Sequence, residues 1–397
     1  MKILIADKVS AKMVADLEAL GCAVTLASDL SAEALPSAIG DVEILVVRSK
    51  RVSAAAIEAG NSLSLIVRAG AGVNTIDIGK ASEKGIYVAN CPGKNTDAVA
   101  ELAIGLLIAA DRRVPEALAD LRAGQWRKKE YGKARGLKGR TLGIVGLGNI
   151  GCAVARRARG LEMNIVGWSR SLTPDRAKAL DIAYCATLDE LAGCADAVSI
   201  HLALSPDTRG LIGSAFFERL RKGSLFVNTA RSEVVDSAAF RAALTTGKIR
   251  AALDVFDNEP AGGEAPFADT QLAGLLAAAT PHIGASTDQA EEAIATETVR
   301  VVRTFLETGK PLNAVNPRKL HSGVPLVIRH YNRVGVLAGV LGELRAEGIN
   351  IEEMENTIFE GEQAASCALV LDRTPSEALM RRLAATEHVI QAALKSA

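Results

Sequence analysis

The residues in this chain best suited to chemistry begin with a glycine run. Gly146-Leu147-Gly148-Asn149-Ile150-Gly151 follows the apolar run TLGIV and leads into a helical pattern opening Cys152-Ala153-Val154. In such a strand–turn–helix, Gly146 permits the tight turn, Gly148 lets backbone approach a pyrophosphate, and Gly151 lets helix and strand pack closely. The helix N-terminus adds unpaired N–H groups and the positive end of its dipole. A lone GxGxxG is a weak signal, and its place inside a strand–helix–strand series gives it weight. A carboxylate for the ribose 2′-hydroxyl is expected about 20 residues further on, but Gly167-Trp168-Ser169-Arg170 stands there. The glycine turn makes NAD the expected cofactor, and NADP is admitted because Ser169 and Arg170 suit a 2′-phosphate.

Proton transfer calls for a group titrating near neutrality, and the chain has five histidines: His201, His282, His321, His330 and His388. His282 lies in TPHIGAST (Thr280–Thr287), after an apolar run and at a domain junction, where clefts form. That placement suits a proton carrier and a structural histidine equally. His201 closes the run DAVSIHL, so it can line the dinucleotide crevice or serve the core. The six cysteines, Cys22, Cys91, Cys152, Cys185, Cys194 and Cys367, show no CxxC pair and no metal-ligand spacing. Buried free thiols in a reducing compartment are expected, and no metal.

With 397 residues, 49% hydrophobic and 23% charged, the composition is that of a globular chain of two or three domains. Formal net charge is zero, and the longest basic run, Arg127-Lys128-Lys129, is too short for a nucleic-acid arm or membrane patch. The N-terminal MKILIAD reads as a strand without signal-peptide architecture. The apolar stretch 102–110 is too short to span a bilayer. A cytoplasmic protein without nucleic-acid or membrane partners is expected.

These residues need a scaffold. KILIAD, AVTLA, VEILVVRS and LSLIVRAG read as strands, alternating with helical segments such as 10–20 and 53–59, up to about Pro92. Such alternation implies a parallel sheet covered on both faces. A long, mostly apolar helix is expected over 95–113, capped by Thr96 or Asp97. A second α/β series runs from Gly139 to about Pro281, a helix covers 288–308, and NAVNPRKLHSG breaks the chain. From Val324 the order is strand, helix, strand, strand, helix, strand, which describes a ferredoxin-like domain. The expected fold class is thus α/β: two doubly wound parallel-sheet domains, flavodoxin-like and Rossmann, plus a C-terminal βαββαβ domain. The expected boundaries are 1–94 completed by 282–312, then 95–281, then 323–397.

NTARSEVVD (228–236), LDVFDNEP (253–260) and TPHIGAST (280–287), with GLGNIG before them, resemble the signature blocks of D-2-hydroxyacid dehydrogenases, in order, across roughly the first 310 residues. The resemblance implies a dinucleotide cleft between the two α/β domains and reversible oxidation of a 2-hydroxy acid. It implies His282 as general acid/base, Glu259 as the partner raising its pKa, and Arg231 as the group orienting the carboxylate and polarising the carbonyl. Asp254 is similar to the residue holding the nicotinamide carboxamide. Thr208, Ala230 and Gly284, with Arg231 and His282, complete the implied cofactor contacts. VRSKRVS (47–53) and VRAGAGVNTID (67–77) are similar to loops of the family branch that oxidises 3-phosphoglycerate, the entry to serine biosynthesis. They imply substrate contacts from Arg48, Ser49, Arg68 and the loop Ala71, Gly72, Val73 and Asn74. Extra positive charge for a phosphate is available from Arg127-Lys128-Lys129, from a neighbouring subunit of a dimer or tetramer, although a solvated basic turn fits that run as well. The C-terminal segment resembles an ACT domain, with His330, Asn332 and Asn350 matching the positions that bind a serine effector; Val334 stands where that motif has Pro. Two alternatives accompany this reading: an NADPH-dependent glyoxylate or hydroxypyruvate reductase, and a dinucleotide-sensing corepressor.

Overall fold

The computed structural model describes residues 1–260, 264–318 and 323–395. His321, in the linker, and the last two residues of the expected C-terminal domain lie outside that set. The described chain divides into two compact units, Met1–Asn316 and Pro317–Ala397.

The first unit holds two parallel sheets. In the first lobe, β1 (Lys2–Ile5), β2 (Ala23–Leu26), β3 (Ile44–Val47), β4 (Leu65–Arg68) and β5 (Tyr87–Asn90) lie in the order β2-β1-β3-β4-β5. This is the flavodoxin-like order, and it reverses direction between β1 and β3, where open α/β sheets bind ligands. β3 is wholly buried, as a strand covered on both faces must be. The second lobe contains β6 (Thr141–Val145), β7 (Asn164–Trp168), β8 (Ala183–Tyr184), β9 (Ala197–Ile200), β10 (Ser224–Asn228), β11 (Ile249–Leu253) and β12 (Ala278–Ala279). Their order, β12-β11-β10-β9-β6-β7-β8, reverses between β6 and β9, the Rossmann switch point.

Two helices carry the chain between the lobes. The helix Thr96–Arg112 buries Ala100, Ala103, Leu106, Leu107 and Ala110 in the core beneath the second sheet. Its N-cap is Asn95, with no side-chain cap bond, instead of the expected Thr96 or Asp97. Both of those lie inside the first turn, and the Thr96 hydroxyl is buried without a partner among the described residues. The helix Asp288–Thr308 is capped by Thr287, whose hydroxyl accepts from the Ala290 amide at 3.2 Å. It returns to the first sheet, where Ile294, Val299, Val302 and Phe305 join Ile3, Ile5 and Val46. The Asn/Pro-rich stretch after it is not all linker. Val315 donates to the Val88 carbonyl, and Asn316 Oδ1 accepts from the Val88 amide, so 313–316 lies along β5. Pairing along a strand edge leaves no periodic trace in so short a segment.

Between the long helix and β6, the helix Val114–Arg122 buries none of its residues. Val114, Leu118 and Leu121 are exposed, and the nearby Trp126 is 80% exposed.

The second unit has β13 (Val324–Tyr331), β14 (Ile351–Ile358), β15 (Ala364–Leu371) and β16 (Val389–Leu394) as an antiparallel sheet in the order β14-β15-β13-β16. With helices Val336–Ala346 and Glu377–Ala385, this is the βαββαβ arrangement. Its core joins Leu326, Ile328, Val340, Leu344, Cys367, Leu369, Leu379 and Leu383.

Candidate active site

The glycine turn has the close strand–helix packing that a dinucleotide site requires. Gly146, at φ +98°, donates to the Trp168 carbonyl, and a β-carbon on it would fall 2.5 Å from the His201 carbonyl oxygen. A β-carbon on Gly151 would fall 1.9 Å from the Gly146 carbonyl oxygen, so only glycine lets the helix Asn149–Gly160 seat against β6. At Gly148 it would meet nothing within 4 Å. The space before the helix N-terminus, where Asn149 and Ile150 present their amides, is therefore open and suits a pyrophosphate.

His282 and Glu259 meet across the loops that follow β11 and β12. His282 Nδ1 lies 2.6 Å from Glu259 Oε2, and Glu259 Oε1 accepts the Phe256 amide at 3.0 Å. Both loops use left-handed backbone, at His282 (φ +53°) and at Asn258 (φ +55°), an uncommon conformation for non-glycine residues that here aims the two side chains at each other. Burial pushes the Glu259 carboxyl up, but the His282 hydrogen bond, the Phe256 amide and the charges of His282 and Arg231 outweigh it and hold the group below its ordinary range. With Nδ1–H donated to a carboxylate, the other ring nitrogen of a neutral imidazole is left as the proton acceptor.

Asp254 is 1% exposed, and burial raises its pKa against the pull of its hydrogen bonds. Its Oδ1 accepts from the Thr280 hydroxyl at 2.6 Å and the Ile283 amide at 2.8 Å, and its Oδ2 accepts from the Gly284 amide at 2.9 Å. Here the side chain assigned by resemblance to the nicotinamide works on the turn that carries His282.

Arg231 follows β10. Asn228 clamps its loop, donating from Nδ2 to the Arg231 carbonyl at 2.9 Å and accepting the Ala230 amide at 2.9 Å. The guanidinium donates to the Ala230 carbonyl and, at 3.3 Å, to Asn74 Oδ1, so it reaches the loop after β4 in the other lobe. A β-carbon on Gly72 would lie 2.4 Å from Arg231 Nη2. Arg68, at the end of β4, faces the same loop: its Nη1 fills the space beside Gly70, and its Nε is buried without a partner among the described residues. Burial first, then the charge of Arg231, lowers its pKa to about 10. Asn90 supports the loop by donating to the Ala71 carbonyl. Two guanidiniums thus converge on Gly70–Asn74, a layout that suits an anion carrying more than one charge.

Other expected contacts are engaged elsewhere. Asp7, after β1, accepts the amides of Arg48, Ser49 and Lys50 and the Ser49 hydroxyl. Arg48 pairs with Glu291 at 2.8 Å. The polar groups of Arg48 and Ser49 therefore hold the β3 loop together. Thr208 is buried, with its hydroxyl donating to the Ala203 carbonyl. The His201 ring lies 2.8 Å from the Ser199 hydroxyl, and burial drives its pKa down to about 3, so it stays neutral. Arg170 pairs with Asp207 at 2.6 Å. Arg127 pairs with Asp120, and Lys128 and Lys129 sit on an exposed short helix.

The three effector positions do not meet within the second unit. Asn332 follows β13 and donates to the Glu362 carbonyl at one end of the sheet. Asn350 precedes β14, whose first residue pairs with Leu371 at the other end. Tyr331 pairs with Ala364 and Val324 with Leu371, so the two ends are separated by the full eight-residue strand, about 25 Å. His330 is buried, its Nδ1 donating to the Tyr331 carbonyl and its Nε2 3.3 Å from Asn356 Oδ1.

Asn228, Asn90, Asp7 and Arg176, whose guanidinium lies 3.5 Å from the Leu147 carbonyl, were not singled out from sequence. The available signal was positional for the first three: each is a polar residue at the carboxyl end of an apolar strand, where it meets the next loop.

Residues 104–284 match the family described as D-isomer specific 2-hydroxyacid dehydrogenase, NAD binding domain. The chain is 38% identical over 318 residues to a D-3-phosphoglycerate dehydrogenase of Methanocaldococcus jannaschii, covering 80% of this chain and 59% of that protein. It is 40% identical over 285 residues to a hydroxypyruvate reductase of Thermotoga maritima, covering 70% and 89%. An NAD+-bound 3-phosphoglycerate dehydrogenase structure from Entamoeba histolytica superimposes with a TM-score of 0.67 at 28% identity, covering 81% of this chain and 99% of that one. The chain thus spans little more than half the length of the archaeal phosphoglycerate dehydrogenase.

Proposed function

The chain belongs to the D-isomer-specific 2-hydroxyacid dehydrogenase family, and we propose that it oxidises 3-phospho-D-glycerate to 3-phosphohydroxypyruvate with a nicotinamide dinucleotide, NAD with NADP admitted. The observation that carries the choice of substrate is the pair Arg68 and Arg231 at one backbone loop. A substrate with a carboxylate and a phosphate supplies the negative charge that two close guanidiniums need; glyoxylate brings one carboxylate. The name of the M. jannaschii relative supports the same reading.

In this reading the turn Gly146–Gly151 would hold the dinucleotide, which would supply the hydride acceptor for C2. The loop Gly70–Asn74 and Arg231 hold the substrate carboxylate, and Arg231 lies beside the oxygen on C2. His282, its Nδ1–H given to Glu259, accepts the C2 hydroxyl proton at Nε2. Glu259 holds the ring in that tautomer and stabilises the imidazolium that forms. Asp254 fixes the turn on which His282 stands, and Asn228 fixes the turn of Arg231.

A reductase for glyoxylate or hydroxypyruvate is the second reading, favoured by Ser169 at the ribose position and by the T. maritima relative. Initial rates with 3-phosphoglycerate and with glyoxylate, each with NAD(H) and NADP(H), separate the two. Higher kcat/KM on glyoxylate overturns the phosphoglycerate reading and leaves the roles of His282, Glu259 and Arg231 in place.

The exposed apolar side chains Val114, Leu118, Leu121 and Trp126 support a homo-oligomer. A sedimentation experiment on Leu118→Glu/Leu121→Glu is expected to show a smaller species than the wild type; an unchanged coefficient refutes that face as the interface. A serine effector, if bound by His330, Asn332 and Asn350, needs two copies of the second unit, because one copy holds them at opposite ends of its sheet.

A further inference from the structure

At the end of β7 the chain turns through Ser169-Arg170-Ser171-Leu172, with the Leu172 amide donating back to the Ser169 carbonyl at 3.0 Å. Dinucleotide-binding sheets place an acid here for the adenosine ribose, and this chain has none at that position. The loop after β9 brings one from elsewhere. Asp207 Oδ2 lies 2.6 Å from Arg170 Nη1, and the two side chains are 71% and 63% exposed, so a ligand can reach both. The loop that presents Asp207 is held firmly. The next residue, Thr208, is buried, accepts the Ser205 amide at 2.8 Å and donates to the Ala203 carbonyl at 2.7 Å. Arg176 reaches the Leu147 carbonyl of the glycine turn at 3.5 Å, which adds a second cation at this end of the cleft.

We infer that Asp207, through its pair with Arg170, sets the coenzyme preference of this site. The inference rests on the proposed reading of the glycine turn and Ser169-Arg170 as the dinucleotide site. A 2′-phosphate must draw Arg170 away from Asp207 and then lie beside that carboxylate. A 2′-hydroxyl asks for neither, since it can donate to Asp207 while the ion pair stays closed. Asp207 therefore does from the β9 loop what an acid at the end of β7 does in other sheets. Ser169 alone does not make this a site for NADP. Because exposed ion pairs are weak and screened by salt, the preference is graded and both coenzymes bind.

The test is equilibrium titration of the full chain with NADH and with NADPH, read by reduced-nicotinamide fluorescence, which needs no substrate. Asp207→Asn is expected to tighten NADPH relative to NADH by about two- to five-fold. Arg170→Ala is expected to weaken NADPH selectively, and in that background Asp207→Asn should shift the ratio less than it does alone, because only the direct contact of the carboxylate with the 2′ group remains to be changed. An unchanged NADPH:NADH ratio in Asp207→Asn overturns the inference while leaving the dinucleotide site intact. If Arg170→Ala also leaves the ratio unchanged, the phosphate role of Ser169-Arg170 falls with it. If the wild type binds neither coenzyme, the proposed function fails first.

Discussion

Arg68 offers a test in which stability and substrate use move in opposite directions. Its guanidinium is largely buried, its Nε has no partner among the described residues, and its neighbour Arg231 is also positive. A pKa lowered from the ordinary guanidinium range to about 10 means that carrying the charge costs the folded protein roughly 3 kcal/mol, as an upper limit. Because the folded-state value is the lower one, this penalty is complete at neutral pH and is relieved only as pH rises above about 10. Arg68→Met keeps an unbranched apolar stem of similar reach and removes the charge. After allowing for lost contacts, we expect a gain of about 1–2 kcal/mol, or a rise in Tm of ~2–4 °C per kcal/mol. In the proposed reading the same change removes charge-assisted hydrogen bonds to the substrate worth about 1.5–3 kcal/mol, so kcat/KM for 3-phosphoglycerate should fall about 10- to 100-fold. Glyoxylate, with one carboxylate for Arg231, should lose much less. Thermal melts with and without saturating 3-phosphoglycerate provide the assay. The ligand should raise the wild-type Tm by clearly more than that of the variant. A variant less stable than wild type by more than about 1 kcal/mol, or an equal ligand-induced shift in both proteins, would refute the reasoning.

Two further outcomes follow from the geometry. His282→Ala is expected to lower kcat by about 10²–10⁴-fold while NADH affinity changes little, and Glu259→Gln should lower kcat by a smaller factor. Wild-type kcat in His282→Ala, measured in initial-rate assays, contradicts the assigned role. Glu297, with a side chain 4% exposed, accepts from Arg300 and Asn313 and pairs with Lys94 at the start of the inter-lobe helix. The Arg300 hydrogen bond, against burial and with help from Asn313 and Lys94, holds its pKa down to about 2. A depressed carboxylate stabilises the fold above its unfolded value near 4.5, and that contribution, up to roughly 3 kcal/mol, is lost as pH falls from there toward 2. Denaturant titrations should therefore show Glu297→Gln less stable than wild type at pH 7, with the difference vanishing toward pH 2. A difference independent of pH would mean that the contribution is packing.

Much of this molecule was legible in its residues. Strand runs alternating with helical ones dictate parallel sheets, because a strand buried on both faces must be apolar throughout, as β3 is. The glycine turn was readable because each glycine answers a steric need that Gly146 and Gly151 meet at distances no β-carbon tolerates. Family blocks picked out Arg231, Glu259 and His282 without saying how they meet. That was left to tertiary structure, because 23 residues separate Glu259 from His282, and their pairing depends on two left-handed turns and on the clamp of Asp254. Long-range partners carry no periodicity. Nothing in the sequence shows that Arg48 is taken by Glu291, that Arg170 faces Asp207, or that Asn332 and Asn350 stand at opposite ends of one sheet. The sequence by itself determined which chemistry-bearing residues the chain possesses and which strands and turns carry them. The tertiary structure alone decided which of those groups are free to act, because a polar side chain near a sheet end bonds to whatever the crossing loops bring within reach.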